Sequence, residues 1–167
     1  MSRQVVMGVD PSLRSTGFGF LALEGGKFRF LDCGVIANAA VMSPAECLVA
    51  IYRELNERIA RHGPVHLAIE STIYVQSYRT AITLGAARGV AILAAAEQGV
   101  EVFEYAPRKI KLAVVGRGGA QKGQVGFMVR ALLGLERVPE SDASDALAVA
   151  IAHVQGLIQS SIFSVKR

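Results

Sequence analysis

The stretch that most constrains the fold of this chain is Val-Val-Met-Gly-Val-Asp at residues 5–10. Apolar side chains occupy both alternating sets of positions, which is typical of a strand buried on both faces. The strand ends on Asp10, and Pro11 cannot continue a ladder of hydrogen bonds. Because burying an unpaired carboxylate is costly, we expect Asp10 to lie at the open carboxyl end of a central strand, where α/β sheets bind ligands. The alternative is that Asp10 only caps the turn that follows.

Length and composition predict one domain with a substantial core, since 51% of the 167 residues are hydrophobic. We expect the domain to span residues 1–159, with a C-terminal tail at 160–167. Uninterrupted apolar runs such as residues 90–96 are too short to span a bilayer, and no secretory signal is evident at the N-terminus. The two cysteines lack metal-ligand spacing and are typical of reduced thiols. These features indicate a cytoplasmic protein without membrane association.

Hydrophobic periodicity divides the chain into five strands and five helices. The first three strands are joined by short turns and should form an antiparallel meander, and the later strands alternate with helices. The sequence therefore predicts an α/β fold in which helices cover both faces of a mixed sheet. The predicted strands lie at residues 5–10, 16–23, 28–35, 66–70 and 100–105, and the predicted helices at 44–62, 77–98, 107–115, 122–133 and 141–158.

Three further carboxylates stand at the end of a predicted strand or the start of a predicted helix. Glu70 ends the fourth predicted strand, and Asp142 and Asp145 share a face in the first turn of the last predicted helix. Capping of that helix explains one aspartate well and two less well. Four carboxylates brought together would repel one another unless divalent cations lay between them, and hard oxygen ligands favour Mg²⁺ or Mn²⁺ over zinc. Two such ions can stabilise the attacking and leaving oxygens of a phosphoryl displacement.

The net charge of +4 is concentrated in one part of the chain. A basic field of this kind suits a phosphate backbone, although a solvated basic surface is the simpler interpretation. Together with the carboxylates, it favours a metal-dependent phosphodiesterase that acts on nucleic acid. The basic residues between positions 106 and 137, where the only acid is Glu136, are Arg108, Lys109, Lys111, Arg117, Lys122, Arg130 and Arg137.

Several longer motifs resemble the RuvC family of Holliday-junction resolvases in order and spacing over nearly the whole chain. They read Gly-Val-Asp-Pro-Ser-Leu-Arg-Ser-Thr-Gly-Phe-Gly at 8–19, Ala-Ile-Glu at 68–70, Leu-Gly-Ala-Ala-Arg-Gly at 84–89, Val-Phe-Glu-Tyr-Ala-Pro-Arg-Lys-Ile-Lys at 102–111, Val-Val-Gly at 114–116 and Ser-Asp-Ala-Ser-Asp-Ala-Leu at 141–147.

The resemblance implies an RNase H-like fold and a homodimer that nicks a four-way DNA junction symmetrically, in recombination and DNA repair. It implies two Mg²⁺ or Mn²⁺ ions per active site, products with 5′-phosphate and 3′-hydroxyl ends, and a branch-migration complex as a partner. By the same resemblance, the four acids are catalytic metal ligands, and Lys111 and Lys122 are functional lysines that contact phosphate or the transition state.

The chain departs from the family at one position. The family places an aromatic residue that engages junction bases three positions after the strand-end glutamate, where this chain has Ile73 followed by Tyr74. Tyr74 either takes over the stacking or packs on the sheet. The further candidates for DNA contact are Arg14, Tyr78, Arg79, Arg108 and Arg117, of which Arg14 could equally be a solvated loop residue.

Two other features can be interpreted from sequence. Gly85 and Gly89 share a face of the long apolar helix, where they allow close packing either within the chain or between two copies, and a two-fold substrate favours the dimer. His153 is too far along its helix from Asp142 to be a metal ligand, so a packed or hydrogen-bonded role is expected. His62 and His66 are expected at the surface.

Two competing functions follow from the same residues. A strand-end aspartate and glycine turn also begin actin-like and sugar-kinase ATPases, but these need a second phosphate-binding domain for which the chain is too short. The third possibility is a module that binds junctions without cutting them.

Overall fold

The computed structural model of the protein describes residues 3–71 and 77–164, with side chains described as far as residue 160. In chain order its elements are β1 (Gln4–Asp10), β2 (Ser15–Glu24), β3 (Lys27–Ala37), α1 (Pro44–His62), β4 (His66–Glu70), α2 (Tyr78–Glu97), β5 (Glu101–Tyr105), α3 (Pro107–Val115), α4 (Lys122–Leu133) and α5 (Ser141–Ser164).

The five strands form one sheet in the order β3-β2-β1-β4-β5. β1 pairs antiparallel with β2, and β2 with β3, whereas β1–β4 and β4–β5 are parallel. β1 lies at the centre, and its residues 5–9 are all buried. The predicted mixed five-stranded sheet, with Asp10 at the carboxyl end of its central strand, is confirmed.

Helices cover both faces of the sheet, as predicted. On one face, Met7 and Phe20 of the sheet pack with Ile51 and Leu55 of α1 and with buried alanines of α2. On the other face, the alternate strand residues pack against α3, α4 and α5, and Leu147 and Ile151 of α5 are fully buried. The apolar side chains of β1 are therefore each buried against one of two helical layers.

Helix α5 lies directly on the backbone of β1 and β2. A Cβ atom at Gly8 would lie 1.9 Å from the carbonyl oxygen of Ala146, and one at Gly17 would lie 1.9 Å from that of Asp142. Any other residue at these two positions would force the helix away from the sheet. The glycines thus allow the first turns of α5 to approach the carboxyl end of β1.

The structure differs from the predictions at the end of α5. The helix continues to Ser164, beyond the predicted end at Ile158, because neither glycine nor proline follows that would stop it. The division between a domain at 1–159 and a tail at 160–167 stays a prediction.

The prediction that His62 and His66 lie at the surface is wrong, because their side chains are only 18% and 16% exposed. His62 contacts Asp32 at 3.0 Å. His153 is buried, and its Nδ1 lies 2.7 Å from the hydroxyl oxygen of Tyr105, while its Nε2 lies 3.0 Å from Nδ1 of His66. These contacts confirm the hydrogen-bonded role predicted for His153.

Among the described residues, one helix is long and apolar enough to cross a membrane by length and composition alone, namely α2. Four of its alanines are nevertheless buried in the core that α2 shares with the sheet and α1. Arg88, in the middle of the helix, forms an ion pair with Glu104 on β5. These contacts make α2 an integral part of the helical layer over the sheet.

Candidate active site

Three carboxylates meet where α5 begins beside the end of β1. Asp10 is the last residue of β1, and Asp142 and Asp145 lie in the first turns of α5. One oxygen atom from each side chain lies within 4.8 Å of the others, which is close enough for all three to ligate a single metal ion. This cluster depends on the direct packing of α5 on the strands, because Gly17 lies against the backbone of Asp142.

The fourth predicted acid, Glu70, lies on the adjacent strand. β4 pairs in parallel with β1 through Val9 and Ile69, so Asp10 and Glu70 end neighbouring strands at the same edge of the sheet. Glu70 is outside the group of three that meets within 4.8 Å. It lines a cavity of about 210 Å³ together with Asp145, Lys111 and Lys122. The structure therefore brings all four acids to one edge of the sheet.

Burial and mutual repulsion make this cluster unstable as a set of bare anions. Burial, followed by the charges of Asp145 and Asp142, raises the pKa of Asp10 to about 7, although Lys122 opposes the shift. Burial and Asp145 also raise the pKa of Glu70, against the opposing effect of the two lysines. Closely spaced carboxylate oxygens are the ligands that hard divalent cations prefer, so the donor set fits such an ion.

Two lysines line the carboxylate cavity. Lys122 is the first residue of α4, and its Nζ lies 2.6 Å from Oδ2 of Asp145. The hydrogen bond to Asp145 raises the pKa of Lys122, which is therefore positively charged at neutral pH. Lys111 of α3 lines the same cavity, and its charge acts on Glu70. The structure thus places both predicted lysines beside the acids.

Ser15 contributes a contact that the sequence did not predict. Its hydroxyl group donates a hydrogen bond to Oδ2 of Asp142, across 127 positions in the chain. The available signal was weak: a polar residue stands at the start of β2, five positions after Asp10. The contact fixes one oxygen of a carboxylate in the cluster.

Arg88 is a second residue whose contacts were not predicted. It lies on α2 with a side-chain exposure of 15%, and its Nη1 donates to the backbone carbonyl of Glu70 at 2.7 Å. Its Nη2 lies 2.6 Å from Oε1 of Glu104. The sequence did carry a signal, because Arg88 is the only charged residue between positions 80 and 96.

The predicted DNA contacts fall into different surroundings. Nη1 of Arg14 donates to the carbonyl oxygens of Ala39 and Met42, at 2.7 and 3.0 Å, so Arg14 ties its loop to the segment before α1. It is thus neither a free loop residue nor a side chain with all its donors available to DNA.

The remaining candidates lie mostly at the surface. Tyr78 and Arg79 are exposed at the start of α2, where Tyr78 has 91% exposure. Arg117 is exposed in the loop between α3 and α4, and the aliphatic part of Arg108 packs close to Gly118 of that loop. Ile73 and Tyr74 lie outside the described residues.

Fold and site together define a class of protein. Carboxylates at the ends of adjacent central strands, joined by acids from a helix that crosses the same sheet, are typical of nucleases of the RNase H-like fold. Within that class, the family model of crossover junction endodeoxyribonuclease RuvC matches residues 6–153. The chain belongs to the RuvC family, as its motifs predict.

Individual relatives agree with this assignment. The crossover junction endodeoxyribonuclease RuvC of Pelotomaculum thermopropionicum is 48% identical over 150 residues, which cover 89% of this chain and 92% of the relative. That of Akkermansia muciniphila is 46% identical over 149 residues, covering 89% of each. The structure of T. thermophilus RuvC in complex with a Holliday junction substrate superimposes with a TM-score of 0.88 at 32% identity, and covers 95% of this chain and 97% of that one.

Proposed function

We propose that this protein resolves Holliday junctions in recombination and DNA repair by symmetric, metal-dependent hydrolysis of DNA phosphodiesters. The observation that carries the proposal is the meeting of Asp10, Asp142 and Asp145 within 4.8 Å, beside a cavity that two lysines line. The T. thermophilus structure, in which a RuvC protein holds a Holliday junction substrate, supports the choice of DNA.

The four acids would hold two Mg²⁺ ions, for which Mn²⁺ substitutes. When bound, these ions supply an activated water and stabilise the departing 3′ oxygen, which leaves 5′-phosphate and 3′-hydroxyl ends. Asp10 and the two α5 aspartates can share one ion, because their oxygens all lie within 4.8 Å of one another. Glu70 faces the same cavity from the neighbouring strand. Ser15 fixes the orientation of Asp142 through its hydroxyl group.

The lysines and the basic segment would bind the phosphates. Lys122 and Lys111 present their ammonium groups to the cavity, where they can contact the scissile phosphate and the negative charge that develops on it. Arg108 on α3 and Arg117 in the loop that follows α3 are exposed, and they would contact the backbone of the junction arms. Tyr78 and Arg79, together with Ile73 or Tyr74, would contact the DNA beyond the end of β4.

The protein would act as a homodimer through α2. Ile82 and Leu93 are 71% and 51% exposed on this helix. Gly85 and Gly89 lie on the same side, and a Cβ atom on either would meet nothing within 4 Å. An apolar surface with two open glycines allows the backbones of two helices to approach closely, and the two-fold symmetry of a junction requires two active sites.

Cytoplasmic location and cooperation with a branch-migration complex complete the proposal. Both rest on the family alone, because no contact within the described residues identifies a surface for such a partner.

The test is a cleavage assay that compares a synthetic four-way junction with a linear duplex of the same arm sequence, in Mg²⁺, with each strand labelled in turn. The proposal predicts paired nicks at symmetric positions in two opposing strands of the junction, sealable by DNA ligase, and an uncut duplex. Equal cutting of both substrates would contradict selectivity for structure. A junction bound but never cut would support the non-catalytic module, and hydrolysis of ATP without nicking would support the ATPase.

A further inference from the structure

We propose that Arg88 is a positioning residue for the cleavage reaction, because its guanidinium group holds the end of β4 in the place that directs Glu70 toward the other acids. The inference rests on the proposed nuclease function. Arg88 acts on the backbone of Glu70. It does so from α2, which covers the face of the sheet opposite to the one covered by α5, the helix that carries Asp142 and Asp145.

The guanidinium group connects three elements. Nη1 donates to the carbonyl oxygen of Glu70 on β4, and Nη2 pairs with Glu104 on the adjacent strand β5, while the residue itself belongs to α2. The planar group suits this double contact because Nη1 and Nη2 each reach one acceptor, whereas an ammonium group would have to reach both from a single nitrogen. Arg88 therefore ties α2 to the ends of both parallel strands.

The end of β4 is held by two hydrogen bonds to the peptide group that follows Glu70. The strand has five residues, and Glu70 is the last of them. On one side, the backbone N–H of Ser71 donates to the carbonyl oxygen of Tyr105 at 2.8 Å. On the other side, the carbonyl oxygen of Glu70 accepts from Arg88. These two bonds fix the peptide group that follows Glu70, and thereby the direction of its side chain.

The placement of Arg88 is difficult to explain by folding alone. Its side chain is 15% exposed in an otherwise apolar stretch of helix, and removing a guanidinium group from water is costly unless it is paired. An apolar residue would fill the same position without that cost. An arginine that bonds to a predicted metal ligand has a role that an apolar residue could not perform, namely to orient that ligand.

The test uses Arg88→Gln in the full-length protein, with Arg58→Gln as the matched control. Arg58 is similarly shielded at 22% side-chain exposure, and it pairs with Glu54 on its own helix and stacks on the ring of Phe18, on the face of the sheet opposite the one that α5 covers. Four quantities are measured for each variant: the single-turnover rate of junction cleavage against Mg²⁺ concentration, Mn²⁺ binding to the DNA-free protein by electron paramagnetic resonance, junction affinity in Ca²⁺, and melting temperature.

We expect Arg88→Gln to weaken Mn²⁺ binding and to raise the half-saturating Mg²⁺ concentration, with a loss of about 10- to 100-fold in metal affinity or rate, the range for residues that orient metal ligands. Junction affinity should stay within twofold of the wild type, and Arg58→Gln should match the wild type in metal binding. Arg88→Lys should remain impaired, because one ammonium group cannot make both contacts.

A merely structural role would lower the melting temperature and leave metal affinity unchanged, and that result would overturn the inference. Full recovery in Arg88→Lys would also contradict it.

If Arg88→Gln does not fold, Glu104→Ala provides the second test, because Glu104 is 57% exposed and its loss frees one end of the guanidinium group. It should weaken Mn²⁺ binding in the same direction, and unchanged binding would contradict the inference. A wild-type protein that leaves junctions uncut would refute the proposed function, whereas a wild type that cuts and an Arg88→Gln variant that cuts equally well would refute only the role of Arg88.

Discussion

Lys122 donates a hydrogen bond to Asp145 across 2.6 Å, from the first turn of α4 to the first turns of α5. The contact gives the acidic cluster an internal positive charge, which lowers the pKa of Asp10 against the effects of burial and the neighbouring carboxylates. The Lys122 side chain is itself 63% exposed, so its ammonium group is accessible to a substrate phosphate. The same lysine can therefore balance the acids and contact DNA.

Replacing Lys122 with alanine should lower the cleavage rate more than it weakens junction binding. We expect a loss of about 100-fold in the single-turnover rate, since one donor aimed at developing charge contributes on this scale. Junction affinity, measured in Ca²⁺, should change by less than tenfold. Lys27→Ala, at the exposed first residue of β3, is the control. An equal fall in rate and affinity would make Lys122 a simple anchor for DNA.

The stability of the metal-free protein should fall as pH rises from about 4 to 7. The pKa of Asp10 is about 7 in the fold against 3.8 ordinarily, so the folded protein retains a proton that the unfolded chain has released. Folding must then take up a proton from solution, which costs about 1.4 kcal/mol more for each pH unit for one group. The raised pKa of Glu70 acts in the same direction.

Asp10→Asn tests this pH dependence. In EDTA, its melting temperature should vary less between pH 5 and pH 8 than that of the wild type, and it should exceed the wild-type value at pH 8. Parallel curves for the two proteins would show that Asp10 is not the group responsible.

Gly17→Ala should disturb the position of Asp142, although Gly17 itself carries no metal-binding side chain. The added Cβ would lie 1.9 Å from the carbonyl oxygen of Asp142, so the start of α5 must shift. We expect a loss of about 1–3 kcal/mol in the free energy of unfolding and weaker Mn²⁺ binding. Gly156→Ala is the control, because a Cβ at this position of the same helix meets nothing within 4 Å and should be neutral or stabilising. Wild-type metal affinity in Gly17→Ala would contradict the proposed dependence of the cluster on this close packing.

Gly85→Glu should separate the proposed dimer without harming the fold. In a single chain, a Cβ atom at Gly85 would meet nothing within 4 Å, so a glutamate side chain fits the monomer. In the proposed dimer the same side chain would prevent the close approach of the second α2 helix. Light scattering after size exclusion should show a dimer for the wild type and a monomer of unchanged melting temperature for the variant. Gly156→Glu supplies the matched substitution on α5. A dimeric Gly85→Glu would place the interface elsewhere.

The sequence specified the elements better than the contacts between them. Periodicity located each strand and helix of the described residues, and the Ser-Pro-Ala-Glu segment at 43–46 forms a capping box between Ser43 and Glu46 at the start of α1. Asp10 was identifiable because a charge that ends a buried strand is unusual. The end of α5 was misplaced, since no local signal marks it.

Long-range hydrogen bonds account for what sequence reasoning missed. His62 and His66 bond to partners that lie 30 and 87 positions away, so their burial has no local signature. The same is true of Ser15, whose partner Asp142 is on another element. Arg88 was visible as a lone charge in an apolar helix, but only the fold shows that its donors meet Glu70 and Glu104.

The most direct measurement compares junction binding and junction nicking by Asp10→Asn. The substitution keeps the size of the side chain and removes the charge from the residue whose oxygen meets those of both α5 aspartates. The account predicts junction affinity in Ca²⁺ close to that of the wild type, with no detectable nicking in Mg²⁺ or Mn²⁺. Nicking by Asp10→Asn at a near-normal rate would show that the cluster of carboxylates is not the site of cleavage.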